Sequence, residues 1–307
     1  MPREAYETHR FTVPPEDQGL RLDQILAARV PGLSRRKARV LLDLGGVFVD
    51  GARTKVAGRM LRPGQVVTAN VGGALLRASG EVGREARARD EATLPPFSIV
   101  HQDDDVVIVD KPPGLLTAPT PESDRNNLAR LLESKVGSPI FLVHRIDLET
   151  SGLLVFARTT EANRALAERF QVHDVERLYL AALRGVMADD ERTVELPVGG
   201  KRAVTHFEVL ERLAEATLVQ CKLETGRTHQ IRLHASHLRH PVLGDRKYGE
   251  PSAVDPPRMA LHAAVLGIAH PRTGEALRFE SAWPADLAGW LTGMRAPAGA
   301  CAPTAAS

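Results

Sequence analysis

VHRIDLETSGLLVFA, residues 143–157, changes character halfway along. Its first part crowds His144, Arg145, Asp147, Glu149, Thr150 and Ser151 into a few positions, and GLLVFA (152–157) then runs without a polar residue. A short apolar run bounded by polar, loop-forming residues reads as a strand buried on both faces. Polar side chains packed into the loop that feeds such a strand suit the floor of a cleft. A lone aspartate in a loop is ordinarily a cap or turn residue, so Asp147 needs support from elsewhere in the chain.

Working outward, VVIV (106–109), LYLAAL (178–183), THFEVL (205–210), TLVQCKL (217–223) and ALRFES (276–281) are further strand candidates. Thr217, Val219, Cys221 and Leu223 alternate with other residues, which gives that strand one buried face. Helices are predicted over 161–171, with Thr160 as the N-cap, and over 228–238 and 285–293. Few of these strands are joined by the long crossovers that parallel pairing requires. The expectation for 94–292 is therefore an α+β fold, a mixed, largely antiparallel sheet with flanking helices.

The N-terminal part is organised differently. Residues 1–18 read as an arm whose FTV segment adds an edge strand. In 20–44, Leu22, Ile25, Leu26 and then Val40, Leu41, Leu44 recur at helical spacing around a Pro31-Gly32 break, with Ser34 placed as an N-cap. VFVDGARTKV then reads as a strand, an Asp50-Gly51 hairpin turn and a second strand. Residues 19–72 thus form a small module, 73–93 a linker of mixed composition, and 293–307 a disordered tail. The module holds ten Lys and Arg against Asp23, Asp43 and Asp50, a surplus of seven in a chain of net +2, so the remainder carries −5. Such asymmetry is a footprint of nucleic-acid binding, although a solvated basic face would look the same.

With 307 residues, the chain is long enough for a small module and a larger domain. No apolar run is long enough to span a bilayer, and MPREAYETHRF has no signal-peptide core. Two cysteines, Cys221 and Cys301, argue against a disulfide framework or a thiolate zinc site. A cytoplasmic protein is expected.

Three other segments carry candidate chemistry. LETGRTHQIRLHASHLRHPVLGDRKYG (223–249) gathers Arg227, His229, Arg232, His234, His237 and His240. Zinc ligation has to be weighed, but His229 and His234 are not on one helical face and no HExxH occurs. An Arg- and His-rich helix start facing phosphate or carboxylate is the more natural reading. VDKPPGLLTAP (109–119) is a strand followed by a tight loop carrying Lys111, without the glycine spacing of a phosphate-binding loop. Arg177-Leu178-Tyr179 puts a phenol within an apolar strand, where most tyrosines are merely packed.

Together these segments resemble the RluA-type RNA pseudouridine synthases. The signature HRLDxxTSGLLLFA stands here as HRIDLETSGLLVFA, the lysine-proline-glycine segment as KPPGLLTAP and the tyrosine segment as ERLYLAAL. The TGRTHQIRxH…GDxxYG segment and the closing ALHAAVLGIAHPRTGEALRFESAWP (260–284) follow in order, over roughly 94–290. LRLDQILAARVPGLSRRKARVLLDLGGVFVDGARTK separately resembles the αL RNA-binding domain shared with a small-subunit ribosomal protein and tyrosyl-tRNA synthetases.

The resemblance implies isomerisation of uridines in RNA, most naturally large-subunit ribosomal RNA in a pre-assembly particle, by a monomer needing no cofactor and no metal. It makes Asp147 the catalytic carboxylate, as nucleophile or as proton acceptor, with both routes open. Arg227 is expected to pair with Asp147 and fix its orientation, and Tyr179 to stack on uracil and assist proton removal. A uridine in folded RNA must leave its stack, and Arg145 is expected to fill the vacated space. His144, Thr150, Arg232 and Lys111 are further expected RNA contacts, as are Arg35, Arg36 and Lys37 in the module. Arg177 stands where many relatives have lysine, Ile146 where leucine is usual, and TAPTPESDRNN lacks a histidine that some relatives carry there. The competing readings are a non-catalytic RNA-binding assembly factor, which a tritium-release assay on uridine-labelled RNA would decide, and a metal-dependent nuclease, which would cleave the chain and lose activity with a chelator.

Overall fold

A computed structural model describes residues 6–72, 94–119 and 127–295. The expected linker 73–93, most of the loop TAPTPESDRNN and nearly all of the expected tail lie outside these. The chain divides into two compact units, one of residues 1–94 with 118–131 and one of 95–117 with 132–307.

The first unit contains β1 (Tyr6–Thr12), α1 (Leu22–Arg29), α2 (Arg35–Asp43), β2 (Val47–Val49), β3 (Ala52–Arg53) and β4 (Val66–Gly72). The strands pair antiparallel in the order β1-β4-β2-β3, so the arm supplies an edge strand as expected. Ser34 caps α2 by accepting from Lys37 N at 3.3 Å, and Asp50 and Gly51 turn the hairpin with positive φ of 52° and 79°, as a tight primed turn requires. Leu22, Ile25, Leu26, Val40, Leu41, Val47 and Val67 are buried in one core. Asp23 is buried with them, and Arg21, Arg35 and Arg39 surround its carboxylate at 3.3, 3.3 and 3.0 Å. Part of the module's positive charge is therefore spent internally. Arg36, Lys55 and Arg62 have side chains without hydrogen bond or ion pair among the described residues.

The chain continues through β5 (Ser98–Gln102), β6 (Val106–Lys111), α3 (Leu128–Val136), β7 (Phe141–Leu142), β8 (Ser151–Ala157) and α4 (Thr160–Gln171). Then come β9 (Glu176–Arg184), β10 (Glu191–Glu195), β11 (Val204–Arg212), β12 (Ala216–Leu223), α5 (Gln230–His237), β13 (Leu261–Ala269), β14 (Ala276–Glu280) and α6 (Ala285–Arg295). The main sheet runs β10-β11-β12-β9-β13-β8-β6-β5, with β14 added on β13 and β7 on β8. Of the described pairs only β13–β8 is parallel. This is the expected mixed, largely antiparallel α+β fold. The cap of α4 is Thr159, whose Oγ1 accepts from Ala162 N at 3.1 Å, and not Thr160.

All of β8 is buried, and Leu153 and Val155 pack with Val106, Ile108 and the α4 residues Ala162 and Leu166. At the start of β8 the backbone is pressed against β13. Gly152 has φ +112°, and a Cβ there would lie 2.2 Å from Ala263 O. Strain and overlap act together, so Gly152→Ala should cost about 3–5 kcal/mol in urea unfolding. A loss under about 1 kcal/mol would mean that this crossing is looser than described.

Candidate active site

Asp147 lies on the loop between β7 and β8, and that loop is pinned along its length. Thr117 Oγ1 donates to Ile146 O at 2.8 Å and accepts from Ile146 N at 3.3 Å. Thr150 N donates to Asp147 O at 3.2 Å, closing a tight turn. Ser151 Oγ donates to His262 Nδ1 at 3.0 Å, and His262 Nε2 faces the carbonyl of Ser281 at 3.2 Å, which sets the neutral tautomer.

Lys111 holds the loop from below. It is fully buried, and its Nζ donates to Pro112 O, Leu115 O and Leu148 O at 2.8, 2.9 and 3.1 Å. Burial pulls it down to about 7, against the attraction of Glu149 and Asp147. The expected RNA contact by Lys111 is thereby corrected, because all its donors are taken by the fold. Lys111→Met should cost about 3 kcal/mol, since buried carbonyls lose their partner. Denaturant titration of the variant checks this, and an unchanged midpoint would contradict it.

The partner of the Asp147 carboxylate is Arg232, on α5, and not Arg227. Arg232 Nη1 donates to Asp147 Oδ2 at 3.0 Å, while Nε and Nη2 grip the fully buried Asp245 at 2.7 and 2.8 Å. Arg227 precedes the helix and turns away, its Nε donating to Arg202 O at 3.1 Å. His229 adopts the left-handed φ of 57° at the start of α5, which sets the helical phase and brings Arg232 to the carboxylate. Its Nε2 lies 3.8 Å from Asp147 Oδ1, and its Nδ1 is 2.8 Å from the Tyr248 hydroxyl. Asp245, which sequence reasoning did not single out, accepts from Lys247 N and Tyr248 N at 2.9 and 3.2 Å. The signal was present in GDRKYG, where an aspartate precedes a turn.

Asp147 and Arg232 face a cavity of about 580 Å³, a volume suited to a nucleoside-sized ligand. Arg145, Thr150, Tyr179 and Arg227 also line it. Tyr179, on β9, is 8% exposed, and burial pushes its phenol up to about 12, so it is neutral at ordinary pH. Arg145 is exposed and makes no hydrogen bond or ion pair among the described residues. The Thr150 hydroxyl is buried without a hydrogen-bond partner. His144 also borders the cavity, but it stacks on Phe170 at 4.6 Å and its Nε2 accepts from Val155 N at 3.2 Å. Burial lowers it to about 3, so it serves the fold as a neutral ring.

The clustered histidines do not share a focus. His234 Nε2 reaches Leu196 O at 2.9 Å and His240 Nδ1 reaches Arg184 O at 2.7 Å. A separate group, Asp103, Asp105 and His270, brings ligand-type atoms within 4.8 Å of one another. There His270 Nδ1 accepts from Arg272 N and Thr273 N at 3.3 and 3.1 Å, so its Nε2 carries the proton, and Arg272 occupies Asp105 at 2.5 Å. The neutral His270 thus hydrogen-bonds Asp103 through Nε2 at 3.3 Å, and Asp105 is engaged by Arg272, so the group is tied into the fold by its own contacts.

Residues 105–237 match the RNA pseudouridylate synthase family, and residues 20–67 match the S4 domain. An uncharacterized RNA pseudouridine synthase of Bacillus subtilis (strain 168) is 36% identical, over 93% of this chain and 97% of that protein. The ribosomal large subunit pseudouridine synthase D of Nitrosomonas europaea is likewise 36% identical, over 95% of this chain and 90% of its own. Among solved structures, human RNA pseudouridylate synthase domain containing 1 superposes with a TM-score of 0.52 at 29% identity, over 61% of this chain and 83% of that one. The chain belongs to the RluA-type RNA pseudouridine synthases that carry an N-terminal S4 domain. It is accordingly an RNA-modifying isomerase. No helix among the described residues is long and apolar enough to cross a membrane.

Proposed function

We propose that the chain converts uridines of large-subunit ribosomal RNA to pseudouridine, with Asp147 as the carboxylate that works at the anomeric carbon. The observation that carries this is a carboxylate at a nucleoside-sized cavity with one oxygen held by Arg232 and the other 3.8 Å from His229. The ribosomal target rests on relatives named ribosomal large subunit pseudouridine synthase D.

In this reading the bond from ribose C1′ to uracil N1 breaks while Asp147 attacks C1′ or removes a sugar proton. The ring turns and C5 bonds to C1′ as the Asp147 oxygen leaves that carbon, or as the sugar proton is returned from Asp147. The C5 proton leaves and N1 gains one, so the carboxylate is regenerated and no oxidant or phosphate donor is consumed. Arg232 neutralises and aims the carboxylate. Tyr179 packs on the uracil, and as a neutral phenol it takes the C5 proton only as a relay, giving up its own. Arg145, exposed and unpaired at the cavity, takes the place of the flipped base. The enzyme acts as a cytoplasmic monomer, which sedimentation of the purified protein checks.

Mapping pseudouridines in RNA from cells lacking the gene tests the target. Loss of one or a few sites in large-subunit RNA is expected, and losses confined to transfer RNA would overturn the ribosomal assignment. The basic module supplies affinity. Replacing Arg36, Lys55 and Arg62 with glutamine should flatten the log–log salt dependence of RNA binding by about two units, from the counterions no longer released. An unchanged slope would make these residues mere solvated surface.

A further inference from the structure

Arg177 is a buried cation to which the fold gives no carboxylate. It lies on β9, two residues before Tyr179, is 7% exposed and borders the active-site cavity. Its Nη2 donates to the carbonyl of Glu224 at 3.2 Å, and its guanidinium sits 5.6 Å from the centre of the Phe170 ring. Its Nε is buried with no hydrogen-bond partner. No described acidic side chain forms an ion pair with it. The other buried arginine described in this unit, Arg232, is matched by Asp147 and Asp245. A buried charge left unmatched is costly unless something else supplies the counter-charge.

The surroundings sharpen the contrast. Lys201 and Arg227 border the same cavity. Burial, and after it the charges of Arg177, Arg227 and Arg202, push His173 down, so the potential on this side is positive. The one carboxylate described at the cavity, Asp147, is already taken by Arg232. The backbone leaves room for the guanidinium at Gly226, where a Cβ would fall 2.5 Å from Arg177 Nη1. Uracil is neutral and asks for no cation, whereas a uridine inside a chain brings a phosphate on each side. An arginine fork suits phosphate oxygens, and in a dry pocket the bond is charge-assisted.

We propose that Arg177 binds a non-bridging oxygen of a phosphate adjacent to the flipped uridine, and so sets how deep the nucleotide enters beside Tyr179. This rests on the cavity being the uridine site. Arg177 is then a substrate-binding residue beyond those the family motifs brought forward, and the relatives' lysine keeps the charge and loses only the fork.

The test is a double-mutant cycle between protein and RNA. A synthetic hairpin carrying the uridine identified by mapping is made with a neutral methylphosphonate at the linkage 5′ or 3′ to that uridine. Each is compared with a charged hairpin bearing the matching 2′-deoxy sugar. One of the two neutral linkages should weaken binding to the wild-type enzyme about tenfold, the usual worth of one charge-assisted contact. Arg177→Met should bind charged and neutral hairpins alike, Arg177→Lys should keep most of the discrimination, and Gly226→Ala should lose part of it by displacing Nη1. A purely structural Arg177 would weaken binding in the Met variant while leaving the tenfold discrimination intact, which would overturn the proposal. Wild-type binding indifferent to both neutral linkages would overturn it without any variant. A wild-type enzyme that binds the unmodified hairpin and makes no pseudouridine in it would overturn the reading of the cavity itself, and the phosphate contact with it.

Discussion

Asp147→Asn is expected to abolish pseudouridine formation while leaving a folded protein that still binds RNA. The amide has the shape of the carboxylate, so the loop between β7 and β8 keeps its bonds to Thr117 and Lys111, and Ser151 at its end keeps its bond to His262. Arg232 keeps both bonds to Asp245. Only the anionic oxygens are lost, and an amide neither attacks C1′ nor removes a sugar proton. Loss of a reacting group of this kind costs about 10⁴-fold or more in kcat, while stability should change by about 1 kcal/mol. Tritium release in single-turnover reactions, beside a urea titration, measures both. Turnover within about tenfold of wild type, a barrier change near 1.4 kcal/mol, would remove Asp147 from the chemistry.

Arg232→Met should do the opposite to the balance, damaging both stability and rate. Asp245 has no exposed side-chain surface, and Arg232 is its bidentate partner. Breaking a buried pair by removing one partner costs about 3–5 kcal/mol, because the other charge stays buried. Asp147 loses its orienting guanidinium at once, and a misplaced carboxylate can cost about 10²-fold. Arg232→Lys should not rescue it, since one ammonium cannot reproduce a fork that spans two carboxylates. Arg227→Met is the decisive comparison. Its guanidinium donates to a backbone carbonyl and leaves Asp147 untouched, so stability and kcat should shift little. If Arg227→Met lost as much kcat as Arg232→Met, the pairing described here would not be the working one.

That pair shows where sequence reasoning stops. Arg227 and Arg232 share one short segment, and both types suit a carboxylate. Only the helical phase, set by the left-handed His229, decides which of them arrives. Lys111 failed for a related reason: a lysine at a strand end reads as a surface contact until three carbonyls are seen to enclose it. The strands β6, β8, β9, β11, β12 and β14 were legible because their apolar patterns are long and end in turn residues. β13 was not recognised as a strand, since LHAAVLGIA is small-residue-rich and lacks clean alternation, and its partner in β8 is far away in sequence. The charge surplus of the module was legible as a sum, but its arrangement was not, because three arginines converge on buried Asp23. Asp147 and Tyr179 reached one cavity as anticipated, from motifs long enough to carry position as well as composition.

The parallel pairing of β13 with β8 has a consequence for the life of the chain on the ribosome. Ser151 meets His262 across a separation of 111 residues, so the strand carrying His262 is translated well after the loop it anchors. Domains fold as their residues emerge, N-terminal first, so the basic module can form and hold RNA while the loop bearing Asp147 still lacks one of its anchors. A nascent chain interrupted before residue 262 would be an RNA binder without an assembled catalytic centre. Competence for chemistry therefore waits until β13 has been made, and products truncated before it would occupy RNA without modifying it.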